Sequence, residues 1–196
     1  MAFEISKHAL AEGMKIRSSM ADTIIVWANL ESALVDLLMH CLDQRDLKMA
    51  SAIFYAVTGL DARIEITRRA TITAFRKFPN SSEARDIAET IFKNINSKKT
   101  IRNTVVHGTI STIGINGKRY KQYTRLTPPL SDYQKREKLR KTRQIPGLSA
   151  NDLHQSVRAI NKLRERIFKL GQLVETWRKG GPKACEQILQ ELKNPS

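Results

Sequence analysis

The chain has 196 residues, 41% of them hydrophobic, and its 34 Lys+Arg against 19 Asp+Glu leave a net charge of +15. A chain of this length buries roughly 70% of its unfolded surface with no metal or disulfide to help, and its apolar share excludes disorder over most of its length. The positive excess goes beyond what solubility needs and points to a polyanion such as nucleic acid, while two cysteines, Cys41 and Cys185, exclude a disulfide framework and a four-cysteine zinc site.

No signal-length apolar run opens the chain, and purely apolar stretches such as Ile24 to Ala28 run to six residues at most, so neither secretion nor membrane spanning is expected and the cytoplasm fits. The first periodic segment runs from Ala21 to Cys41 after Ser18 and Ser19, without Gly or Pro, and predicts a long helix. On its wheel Asn29, Ser32, Asp36 and His40 form a polar stripe, with Trp27, Leu34 and Leu38 opposite. A short apolar segment, Ala50 to Val57, follows. Thr58-Gly-Leu-Asp61 has the spacing of a capping box and opens a helix that carries Ile64, Thr71, Phe75 and Phe78 to Pro79. Another helix starts near Ser82, turns Ile87, Ile91 and Ile95 inward, and ends at Gly108.

Between Thr109 and Leu126, β-branched and aromatic residues flank Asn116-Gly117, which suits a two-residue hairpin turn. Pro128-Pro129 breaks regular structure and a polar run leads to Gly147. Ser149 and Asp152 then cap a helix in which Leu153, Val157, Ile160, Leu163, Ile167, Leu170, Val174 and Trp177 recur by threes and fours. Gly180-Gly181-Pro182 ends it, and Cys185, Ile188, Leu189 and Leu192 outline a short terminal helix. The expectation is one all-α domain over residues 1–196, a bundle of four to six helices, with a basic hairpin and linker at 109–147 inserted before the last long helix.

Chemistry centres on Arg102-Asn-Thr-Val-Val-His107. A neutral imidazole accepts a proton near neutral pH and a guanidinium holds two phosphate oxygens in its planar fork, so the pair suits phosphodiester cleavage. The carboxylates are scattered, without the close Asp/Glu cluster of a two-metal nuclease, which favours RNA, whose 2′-hydroxyl is its own nucleophile. The spacing alone is common in so arginine-rich a chain, and context supplies the specificity.

An Arg-polar-x-x-x-His motif closing an inner helix of an all-α bundle resembles the HEPN superfamily of ribonucleases. Arg102 and His107 match that family's paired residues, Asn103 matches the polar residue after the arginine, and Trp27-Ala-Asn-Leu-Glu31 is similar to an early-helix pattern of bacterial members. The resemblance implies a HEPN-like bundle and metal-independent endoribonuclease activity from a homodimer, or a catalytically silent relative that binds RNA or protein. By the same analogy it implies a toxin or antiphage defence setting, in which a protein inhibitor or antitoxin is a partner. It implies no cofactor and no metal. The hairpin and linker are outside the minimal bundle and take nothing from the family.

In this reading His107 removes the 2′-hydroxyl proton and Arg102 stabilises charge at phosphorus, giving a 2′,3′-cyclic phosphate and a 5′-hydroxyl. On an ideal helix positions 102 and 107 stand about 140° apart, so a second subunit's His107 is the expected donor to the leaving oxygen. Glu31 falls on the apolar side of its helix and needs a partner: Arg102, which it would orient, or Arg63 or Arg69. The alternative for Arg102 is a purely structural ion pair, and for His107 an ordinary helix-end histidine favoured by the dipole. His40 and His154 read as surface histidines.

Ten basic residues lie between 118 and 143, namely Lys118, Arg119, Lys121, Arg125, Lys135, Arg136, Lys138, Arg140, Lys141 and Arg143, against Asp132 and Glu137. Such an arm would track phosphates while Tyr120, Tyr123 and Tyr133 stack unpaired bases. The competing readings are a solvated loop or an arm that binds an acidic protein.

Overall fold

The computed structural model describes residues 5–43, 46–78, 81–115, 121–128 and 147–194, without the side chains of Ile115, Lys121 and Pro182. In chain order the elements are α1 (Lys7–Cys41), α2 (Leu47–Ala56), α3 (Leu60–Arg76), α4 (Ser82–His107), β1 (Thr109–Ile115), β2 (Lys121–Thr127), α5 (Ala150–Arg178) and α6 (Pro182–Lys193). The chain is mostly helical, of bundle character, with one small two-stranded sheet.

Helix α1 begins fourteen residues before the expected start at Ala21. The serines taken for a boundary lie inside it: Ser19 Oγ donates to the Lys15 carbonyl at 2.9 Å, and Thr23 repeats the pattern onto Ser19 at 2.7 Å. A hydroxyl satisfied by its own preceding turn caps nothing. The longer α1 also corrects the expectation of no span-like segment, because an 18-residue window reaches a mean hydropathy of 1.4, enough to cross a bilayer by length and composition. Half of that window is buried inside the protein, and a core helix passes the same test.

The capping box expected at Thr58 does not form. Helix α3 opens at Leu60 on Gly59, whose φ of 89° is one that glycine adopts readily and that a threonine-capped start does not use. At Ser149 the box does form, with Ser149 N donating to Asp152 Oδ2 at 2.8 Å and Asp152 N donating back to Ser149 Oγ at 3.2 Å. Strands β1 and β2 pair antiparallel from Thr109 with Thr127 to Ile115 with Lys121. A two-residue turn at Asn116-Gly117 would pair 115 with 118, so the observed register corrects that expectation. Beyond β2, Leu148 returns to pair with Leu126 through bonds of 3.0 and 2.8 Å.

Contacts group the chain into two compact units, residues 1–27 with 99–159 and residues 28–98 with 160–196. In the first, Ile16, Val105, Leu126 and Leu153 form a buried cluster that Met20, Ile101, Ile110 and Leu148 border. The second is built on large side chains: Phe54, Phe75 and Phe92 are fully buried, and Trp177 meets Phe75 edge-on at 5.7 Å and stacks on Phe78 at 5.3 Å.

Candidate active site at the end of helix α4

The last turns of α4 carry the Arg-to-His motif because Ile101 and Val105, four apart, anchor them on the first unit's core. Thr104 is buried beside them and donates to the Thr100 carbonyl at 2.9 Å. That anchoring turns the motif outward: Arg102 is half-buried, and Asn103 and His107 are exposed. Arg102 donates to Asn103 Oδ1 at 3.4 Å, which ties the guanidinium toward the side that Asn103 shares with His107. The imidazole and guanidinium still leave the helix about 140° apart.

Gly108 ends the helix through space rather than through a left-handed turn. A Cβ there would collide with the Thr104 carbonyl oxygen and lie 2.6 Å from that of Thr127, so the end of β2 closes directly over the helix terminus. Glu12 of α1 holds the same strand: it accepts from Thr124 N at 2.9 Å and pairs with Arg125, while Thr124 Oγ1 donates to the Ala9 carbonyl at 2.8 Å.

Of the ten basic residues read as an RNA-tracking arm, Arg125 is committed to Glu12 and lies over the Tyr123 ring at 5.7 Å. Lys121 is described in its backbone only. Lys118, Arg119, Lys135, Arg136, Lys138, Arg140, Lys141 and Arg143, with Tyr120 and Tyr133, lie outside the described residues.

Glu31 meets Arg63, one of the three arginines considered for it, at 3.4 Å. Arg63 also donates to the Val57 carbonyl at 3.0 Å and stands 4.9 Å over the Tyr55 ring. Arg69 pairs with Glu65, and the two guanidiniums of Arg68 and Arg69 hold the Glu65 carboxyl down at about 2. His154 Nε2 lies 3.3 Å from Ser19 Oγ. Burial pushes the Cys41 thiol up to about 11, against the smaller opposing effects of the Thr71 hydrogen bond and the Arg178 charge, so Cys41 is a packed thiol rather than a nucleophile. Among the described residues, no group of three His, Cys, Asp or Glu side chains is placed to hold a metal ion.

The polar stripe of α1 acquires a setting that sequence did not reveal. Asn29, Ser32 and Asp36 line a groove of about 720 Å³ together with Arg164, Phe168 and Gln172 of α5. One signal was available: Phe168 falls beside, not within, the three-and-four apolar rhythm of Leu163, Ile167 and Leu170.

Comparisons of the chain with protein-family models, with curated proteins and with solved structures find no match.

Proposed function

We propose that the chain is a metal-independent endoribonuclease on a HEPN-like bundle, acting as a cytoplasmic homodimer in a toxin or antiphage defence setting, with Arg102, Asn103 and His107 as its site. The observation that carries this reading is accessibility: both members of the pair reach solvent at one helix end, and Arg102 is already tied to Asn103. His107 takes the proton from a ribose 2′-hydroxyl as O2′ bonds to phosphorus, and the bond from phosphorus to O5′ breaks. Arg102 holds the non-bridging oxygens, whose charge rises in the transition state, and Asn103 orients it. The leaving O5′ takes a proton from the second subunit's His107, which the wide angle between Arg102 and His107 on one helix favours.

The test is incubation of single-stranded RNA with the protein in EDTA. Arg102→Ala and His107→Ala are each expected to lower cleavage by about 10²-fold or more with helicity retained. Products should end in 2′,3′-cyclic phosphate. Equal cleavage by the variants overturns the site, and a monomer by light scattering at full activity overturns the shared one. The same wide angle favours a second reading, a non-catalytic RNA-binding or protein-interaction module, which predicts salt-sensitive RNA binding without cleavage.

A further inference from the structure

The groove between α1 and α5 lies wholly in the second unit and is independent of the Arg102–His107 site. There the two helices run in the same direction: His40 lies against Gly171, and Arg178 reaches the Cys41 carbonyl at 3.3 Å and the Asp43 carboxylate at 2.8 Å. Asn29 and Arg164 therefore mark one end of the groove, and Asp36 and Gln172 the other. Its volume falls in the usual range for small-ligand sites.

Two observations bear on what it could hold. Phe168 is 59% exposed, on a helix whose Ile167, Leu170, Leu173 and Val174 are all buried, so its ring lines the groove on the solvent side. Among the described residues, the side chains of Asn29, Asp36, Arg164 and Gln172 have no hydrogen-bond or ion-pair partner, although they share one groove. Burial raises the Asp36 carboxyl above its ordinary value and the His40 charge opposes that.

We propose that this groove binds a guanine nucleotide unit, with the base stacked on Phe168, its Watson–Crick edge on Asp36 and Gln172, and its phosphate at Arg164. A carboxylate is an acceptor only, and guanine is the base that presents two adjacent donors, N1–H and the 2-amino group, on that edge. Adenine and cytosine place an acceptor lone pair against the carboxylate, and uracil offers one donor between two carbonyls. The Gln172 amide donates to O6. Arg164 stands eight residues from Gln172, about 12 Å along the helix axis, the span of a mononucleotide from base edge to phosphate. Stacking on an exposed ring is general to bases, so Phe168 supplies affinity and Asp36 supplies choice.

Calorimetric titration of the full chain with the 5′-monophosphates of guanosine, adenosine, cytidine and uridine tests this. Guanosine monophosphate is expected to bind about tenfold or more tightly than the others. Asp36→Asn should abolish that preference, Phe168→Ala should weaken every nucleotide about tenfold, and Arg164→Ala should weaken the nucleotide while sparing guanosine. A five-nucleotide RNA with one central guanosine distinguishes the sources. Tighter binding than the free nucleotide assigns the groove to RNA, and weaker or equal binding assigns it to the mononucleotide. No binding at millimolar nucleotide, or an unchanged preference in Asp36→Asn, overturns the proposal. Neither outcome bears on cleavage, which the α4 variants read separately.

Discussion

The two units solve burial differently. The second is closed by fused aromatic contacts, Phe75 and Phe78 against Trp177, and by fully buried Phe54 and Phe92. The first relies on a small aliphatic cluster and on polar ties from α1 to β2, through Glu12, Arg125 and Thr124. The difference sets an expectation: substitution in the aromatic unit should be read out as lost stability, whereas truncation of the outward-facing Arg102, Asn103 or His107 should leave stability nearly unchanged.

The largest effect expected is from Phe75→Ala, which removes a fully buried ring and should cost about 3–5 kcal/mol by chemical denaturation. Arg102→Ala changing stability by a comparable amount would break the contrast. Gly108→Ala should cost about 1–3 kcal/mol, because the new methyl meets the Thr104 and Thr127 carbonyl oxygens and one backbone must give way. Hydrogen exchange should show the loss concentrated in the end of α4 and the hairpin.

The smallest effect is electrostatic. Cys41 has its thiol raised from an ordinary 9.0 to about 11, so the folded state holds the proton more tightly than the unfolded chain. Its contribution is complete below about pH 9 and declines as pH rises toward about 11, amounting to about 1 kcal/mol by pH 10. In Cys41→Ala the slope of stability between about pH 9 and 10 should be shallower than in the unchanged chain, and equal slopes would overturn the assignment.

Sequence pattern located the helices wherever apolar rhythm and end signals agreed. Both ends of α5 were legible, since Ser149 and Asp152 form the box their spacing implies and Gly180 takes a φ of 74° just past the helix. Boundaries failed where one residue type serves two purposes. Ser19 sits mid-helix with its hydroxyl on its own carbonyl ladder, and Thr58 stands outside a helix that Gly59 opens. The Arg102-to-His107 turn was legible as a helix end at Gly108, while its outward direction and the tie from Arg102 to Asn103 emerge only from the folded chain. The groove was half legible: its polar stripe on α1 shows on a wheel, but Arg164, Phe168 and Gln172 lie more than a hundred residues away and nothing local registers them with Asn29.

The contact at Gly108 has a mechanical meaning. With the Thr127 carbonyl seated on the helix terminus, the hairpin is no free tether but a lever whose fulcrum is the turn that bears His107. A displacement of β2 is delivered to that turn, so whatever moves the strand also moves the backbone that carries the imidazole.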